Sequence, residues 1–396
     1  MMRVLMLHND YMQEGGEYHS TRAEANALRA GGAEVEFVSM DNSDVVGQGG
    51  NRAIAIETMT SGRARRLLDD ALHRFSPHIV HAQNLFPLMS GSIDVLRRHG
   101  VPWVRTLRNY RTRCLAGTCF RDGEICTDCA SARRGLPGVV HGCYRGSRAA
   151  SAVALGYALQ ETRFAAAHPP RAYILLSEAM RGLLSSSLDP SAAVYIKPNS
   201  VPGSTALVPL PRVERDEEFL FVGRMAPEKG VSDIIRSFAR TDLRLTLIGD
   251  GELDADDARI ARDSPNIRLT GRLPRDEVFR RMERALATIV PSRWAEPFGR
   301  VAAESLAAAT PPLVSGVGGL EEIPRGLAGG RLVVPPELDW AVAARDLRAM
   351  PPHEYDQLTA ECHARWESTY EEGALNKRLL RIYESALSPA SGAGAR

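Results

Sequence analysis

Glu296 and Glu304 stand with seven residues between them in the run Pro291-Ser292-Arg293-Trp294-Ala295-Glu296-Pro297-Phe298-Gly299-Arg300-Val301-Ala302-Ala303-Glu304-Ser305. Glu296 ends a loop that follows a strand, and Glu304 lies in a helix starting near Gly299. Alanines surround Glu304, and an acid in such a small-residue helix needs a partner. Sugar hydroxyls suit both carboxylates, and the amides of Gly299 and Arg300 at the helix start suit a phosphate. Ordinary surface charge is the plainer alternative. A second cluster, Phe221-Val222-Gly223-Arg224-Met225-Ala226-Pro227-Glu228-Lys229-Gly230, runs a buried strand into Gly-Arg and puts a lysine at the next helix start. Arg224 as a fork and Lys229 as a point charge fit a diphosphate; a solvated loop is the alternative. Lysine is scarce in this chain, with only Lys197, Lys229 and Lys377. Gly15-Gly16, between the first strand and the first helix, lets backbone approach an anionic ligand closely. A simple turn has the same look, and the Gly-x-Gly-x-x-Gly fingerprint is not met.

Five of the six cysteines, Cys114, Cys119, Cys126, Cys129 and Cys143, fall within thirty residues. The Cys126-x2-Cys129 knuckle can place two thiolates on one metal, which would order a segment with little apolar patterning. The expected ligands are Cys114, Cys126, Cys129 and Cys143 around a structural zinc, with Cys119 spare or substituting. Free buried thiols and an iron–sulfur cluster are the alternatives. Asp254-Ala255-Asp256 reads as first-turn acids complementing a helix dipole and is assigned no metal. His81 ends a strand, which points it toward the ligand-bearing edge of an α/β sheet or makes it a satisfied structural histidine.

Two scaffolds must position these residues, and 396 residues suit two domains. Short apolar runs at Val4–Leu7, Glu34–Ser39, His78–His81, Val101–Thr106, Ala172–Leu176 and Ala193–Ile196 alternate with helical stretches at Tyr18–Ala30, Ala64–Phe75, Ser92–His99 and Ser147–Ala166. Such alternation predicts a parallel sheet covered on both faces. A Pro/Gly-rich break over Lys197–Arg215 reads as a connection. The alternation restarts with Phe219–Val222, Leu243–Ile248, Ile267–Leu269, Ala287–Val290, Pro312–Val314 and Leu332–Val334. The expected domains are 1–198, with a cysteine-rich insertion at 111–146, and 199–372. A helix over 373–387 packs back on the first domain, and 388–396 is a polar tail.

Together with Leu247-Ile248-Gly249-Asp250-Gly251, Ile267-Arg268-Leu269-Thr270-Gly271 and Val317-Gly318-Gly319-Leu320-Glu321-Glu322, the two charged clusters resemble the family 4 retaining glycosyltransferases. The resemblance implies the GT-B architecture, two Rossmann-like α/β domains with parallel sheets facing a cleft. The first domain would bind the acceptor and the second the nucleotide sugar. It implies retaining transfer of a hexosyl or N-acetylhexosaminyl group from a uridine or guanosine diphosphate sugar. The receiving hydroxyl would belong to a glycan, a lipid-linked intermediate or a small natural product. Residue by residue, Arg224 and Lys229 would hold the diphosphate and form the catalytic set with Glu296, which would face the transferred sugar. Glu304 would bind the ribose hydroxyls, Phe298, Gly299 and Arg300 would support sugar and phosphate, and Gly16 would contact the diphosphate. Where related enzymes often carry an acceptor-side histidine near Thr106–Tyr110, this chain has Arg108 and Asn109. Similar cysteines recur in a subset of the family. No cofactor is implied for catalysis, because basic side chains replace a metal.

A nucleotide-sugar epimerase or a sugar phosphorylase on the same fold is the alternative activity. A zinc-module protein binding nucleic acid is a remote one, and a net charge of +1 argues against it. The segment 101–171 carries a local +7, either as a solvated face or as a surface for an anionic acceptor or a peripheral membrane contact. No apolar run reaches the ~20 residues of a membrane span, and the start does not read as a signal peptide. Six cysteines in a chain of this kind do not suggest a disulfide framework, so a cytoplasmic enzyme is expected.

Overall fold

A computed structural model of the chain describes residues 1–10, 16–130 and 135–388. The chain divides into two compact units. The first comprises Met1–Cys119, Cys126–Ser200 and the chain from Leu375 onward; the second comprises Phe120–Ile125 and Val201–Ala374.

The sheet of the first unit contains β1 (Arg3–Asp10), β2 (Glu34–Asp41), β3 (Ile79–Ala82) and β4 (Trp103–Leu107). A hairpin of two short strands, β5 (Phe120–Arg121) and β6 (Glu124–Ile125), comes next in the chain, before β7 (Ala172–Leu175) and β8 (Ala193–Ile196) complete the sheet. All six sheet strands are parallel, in the order β2-β1-β3-β4-β7-β8. The unbroken apolar run Val4-Leu5-Met6-Leu7 is what a strand covered on both faces requires. Leu5 and Leu7 join Leu68 and Leu72 of the helix Gly62–Phe75. Val4 and Met6 meet Leu28 together with Leu379, Ile382 and Tyr383 of the helix Glu372–Leu387, so the end of the chain is built into this core.

The helix Asn42–Thr60 was not legible in the sequence. Its apolar periodicity is weak and it contains Gly47, Gly49 and Gly50. Its start is set instead by Asp41, whose carboxylate accepts the Ser43 amide at 2.7 Å. Lys197, which composition places in the connection, is buried just after β8 and paired with Glu24 at 2.8 Å.

In the second unit, β9 (Glu218–Val222), β10 (Arg244–Ile248), β11 (Ile267–Gly271), β12 (Ala287–Val290), β13 (Pro312–Ser315) and β14 (Val333–Val334) form a parallel sheet. Its order, β11-β10-β9-β12-β13-β14, is the doubly wound order of nucleotide-binding domains. The winding reverses between β9 and β12, and in the first unit between β1 and β3. Ligands in such sheets sit at the carboxyl ends of the strands beside that reversal. Among the described residues, no helix is long and apolar enough to cross a membrane.

Candidate functional site

Both charged clusters of the second unit leave the sheet at its reversal point, one from the end of β9 and one from the end of β12. The chain after β9 passes Gly223 and Arg224, pairs Met225 with Gly251 in an isolated parallel bridge, and turns through the short 3-10 helix Pro227–Lys229. Lys229 Nζ then lies 2.8 Å from Glu296 Oε1 and 5.5 Å from the centroid of the Trp294 ring. Ser292 Oγ donates to the same Glu296 oxygen. Arg224 is mostly exposed and pairs with Glu228.

Glu296 is buried because its own backbone is held from the next strand's loop. It bridges Gly318, and its carbonyl accepts the Gly319 amide at 2.8 Å. Gly318 has φ +63°, and a Cβ there would stand 2.7 Å from the Glu296 nitrogen and oxygen, so only glycine fits without displacing the acid. Phe298 is buried with its ring 5.7 Å from that of Tyr370. The helix Arg300–Ala307 begins after Gly299 with no side chain capping it, which suits an anion at its first amides. Within it, Glu304 Oε1 accepts from Arg300 Nε at 3.0 Å and from Arg275 Nη2 at 3.4 Å. The structure thus gathers Arg224, Lys229, Glu296, Phe298, Gly299, Arg300 and Glu304 in one unit, at the end of one sheet. Asp254 caps the helix Ala255–Asp263 by accepting the Asp257 amide at 2.9 Å, a structural use of that acid.

In the first unit, Gly16 opens the helix Gly16–Ala30 and is exposed; Gly15 and the loop before it lie outside the described residues. His81 is fully buried, with Nδ1 2.6 Å from the Tyr383 hydroxyl and Nε2 2.7 Å from Thr106 Oγ1. That is a satisfied structural histidine, and burial, opposed by Glu24, lowers its pKa to about 4. Arg108 binds Gln83 Oε1 at 2.9 Å, reaches Glu24 at 3.5 Å and holds Asn199. Burial works to raise the Glu24 carboxyl, but Lys197, His81 and Arg108 together hold it well below the carboxylate range. Asn109 Nδ2 donates to Glu17 Oε1 at 3.3 Å, and burial raises the Glu17 carboxyl despite Arg108 and Arg111. Glu17, Arg108 and Asn109 line one small pocket. Glu24, Gln83 and Lys197 are the partners that sequence reasoning missed. The available signal was an acid on the apolar side of a helix and one of only three lysines.

Cys114 lies near Cys119 and Cys129, Cys119 near Cys126, and Cys129 near Cys143, but among the described residues no three of these thiols come within 4.8 Å of one another, so the expected ligand set is not gathered at metal-binding distance. A hydrogen bond from the Cys119 thiol, then the amides of Cys119, Gly117 and Ala116, lower the Cys114 thiol to about 5 against burial. Burial and the nearby Cys114 and Cys143 raise Cys129. Cys119, expected to be spare or substituting, is in contact with Cys114. Among the described residues, the His, Cys and acidic ligand atoms that all come within 4.8 Å of one another are those of Asp69, His73 and His99, none of which was singled out from sequence.

Residues 207–351 match the family described as glycosyl transferases group 1. A glycogen synthase of Mycobacterium tuberculosis is 37% identical over 147 residues, covering 32% of this chain and 35% of that protein. The chain spans about a third of the length of the curated relatives it matches. Sucrose-phosphate synthase from Thermosynechococcus elongatus superposes with a TM-score of 0.66 at 16% identity, over 97% of this chain and 98% of that one. The Anabaena protein HepE, solved in complex with UDP, superposes with a TM-score of 0.64 at 13% identity, over 97% of this chain and 100% of that one. The same protein has also been solved with UDP-glucose. The chain therefore has the two-domain parallel α/β fold of these GT-B proteins, and its similarity to the glycosyl transferases group 1 family lies in residues 207–351.

Proposed function

We propose that the chain is a retaining glycosyltransferase of the family 4 type. It takes a hexosyl or N-acetylhexosaminyl group from a uridine or guanosine diphosphate sugar and passes it to an acceptor hydroxyl. The observation that carries this reading is the Lys229–Glu296 pair at the reversal point of a sheet with the strand order of nucleotide-binding domains. It couples a cation suited to a diphosphate with an acid suited to sugar hydroxyls. Lys229 and Arg224 stabilise the charge that grows on the departing diphosphate, the kind of electrostatic contribution usually worth most in such reactions. Glu304 takes the ribose hydroxyls. The acceptor attacks from the leaving-group face and its proton passes to a phosphate oxygen. Basic side chains take the place of a metal, so turnover is expected to survive chelation of Mg²⁺. The acceptor is a glycan, a lipid-linked intermediate or a small natural product, met in the cytoplasm or at a membrane surface.

Thermal shift against a panel of nucleotide sugars tests the reading, since a ligand at 100 times its Kd adds about 2.7 kcal/mol of stability. A uridine or guanosine diphosphate sugar should raise the Tm, and Lys229→Ala should reduce the shift at the same ligand concentration. A panel with no shift at millimolar concentration would overturn it.

A further inference from the structure

On the surface of the first unit, well away in sequence from the charged clusters, three metal-ligating side chains converge. Asp69 and His73 are four residues apart on the helix Gly62–Phe75, one turn above the other on a single face. His99 is the last residue of the helix Ser92–His99, which is closed by Gly100 in the left-handed conformation. The two helices are locked together through Leu68, Ala71 and Leu72 on one and Ile93, Val95 and Leu96 on the other. The three ligands therefore sit on packed helices rather than on a loop.

His99 Nε2 is 2.8 Å from Asp69 Oδ1, and His73 Nε2 is 3.9 Å from Asp69 Oδ2. One ligand atom from each residue lies within 4.8 Å of the other two. The imidazoles meet edge to face with centroids 4.9 Å apart. The neighbouring cations Arg97 and Arg98 are turned toward Asp94, at 3.0 and 3.9 Å. We propose that Asp69, His73 and His99 bind a divalent transition-metal ion that clasps the helix Gly62–Phe75 to the end of the helix Ser92–His99. Two imidazoles and one carboxylate suit zinc, nickel, cobalt or copper and disfavour magnesium or calcium, which prefer all-oxygen sites. His73 is exposed, so an ion enters from solvent, and three protein ligands leave open positions for water.

The test is titration of the full chain, stripped with chelator, with Co²⁺ alone. Calorimetry gives the number of equivalents, and near-ultraviolet absorption separates thiolate-bound cobalt, which has a sulfur charge-transfer band, from imidazole and carboxylate ligation. The expected result, beside any equivalent that shows the thiolate band, is one equivalent without that band, bound at least tenfold more weakly in both His73→Ala and His99→Ala. That equivalent should raise the wild-type Tm and persist in Cys126→Ser. Because His73 is exposed, His73→Ala keeps the fold, and its far-ultraviolet circular dichroism should match wild type. Two results would overturn the proposal. One is cobalt uptake that the thiolate band accounts for entirely. The other is a His73→Ala variant that binds like wild type, which would leave only a His99–Asp69 hydrogen bond.

Discussion

Lys229 Nζ lies 2.8 Å from Glu296 Oε1, although sixty-seven positions separate the two residues in sequence. The cation suited to a diphosphate is thus already neutralised by the carboxylate suited to the sugar. On the proposed reading, a donor entering here would have to share Lys229 with Glu296 or draw it away. The acid would then control how strongly the lysine meets phosphate, besides any contact it makes itself.

This arrangement predicts opposite effects for its two members. Lys229→Ala should weaken nucleoside diphosphate binding about ten- to a hundredfold, the loss of a charge-assisted hydrogen bond worth roughly 1.5–3 kcal/mol. Glu296→Ala should lower turnover by at least as much, yet leave affinity for the sugar-free nucleotide equal or tighter because Lys229 is released. Calorimetry with UDP and GDP, beside initial rates, checks both. Equal losses of affinity in the two variants would contradict the sharing.

Acid sensitivity should come from buried histidines of the first unit. Burial, then Arg108 and Arg22, lowers His8 to about 3, and burial lowers His81 to about 4. Both are neutral in the folded chain at pH values where the unfolded chain, near 6.5, is already protonated. Their contribution is complete above pH 6.5 and is lost progressively as pH falls toward 4, at up to about 1.4 kcal/mol per pH unit for each. The Tm of the wild type should therefore fall between pH 6.5 and 4.5. His8→Asn should flatten that fall, and an unchanged slope would remove His8 from the account.

The apolar strand runs and the charged clusters were legible in the sequence because each is a local pattern. Val4–Leu7 and Ala287–Val290 announce buried strands, and Gly299 announces the helix that carries Glu304. Strand order was not legible, since pairing β9 with β12 depends on packing across almost seventy residues. The helix Asn42–Thr60 was hidden by its glycines and by a start set through Asp41 rather than through apolar spacing. Lys197 misled because Pro198 and Asn199 follow it, while the partner that buries it, Glu24, lies 173 positions away. The same distance effect concealed Asp69 and His99.

The zinc expected on Cys114, Cys126, Cys129 and Cys143 makes a separate prediction. Protein purified without chelator should carry about one thiolate-bound zinc per chain, lost with stability in Cys126→Ser and Cys129→Ser. Cys119→Ser should retain it, unless the contact between Cys119 and Cys114 makes Cys119 the fourth ligand, in which case Cys143→Ser retains it instead. Metal analysis with thiol titration decides, and metal-free protein whose thiols react rapidly is the contrary result.

Gly318 offers a test of whether the position of Glu296, rather than its mere presence, matters. Its φ of +63° costs an alanine roughly 1 kcal/mol in backbone strain alone, and its Cβ would meet the Glu296 backbone at 2.7 Å. Gly326, at φ +84°, carries the same kind of strain, but a Cβ there would meet nothing within 4 Å, so Gly326→Ala isolates the conformational cost. Gly318→Ala should therefore destabilise by more than Gly326→Ala, within about 1–3 kcal/mol, and should also reduce turnover at least tenfold by moving the carboxylate off Lys229. Gly326→Ala should shift the Tm and leave the rate unchanged. Denaturant unfolding and initial rates on both variants separate the two effects. Equal rates in Gly318→Ala and wild type would show that the register of Glu296 against Gly318 serves stability and not transfer.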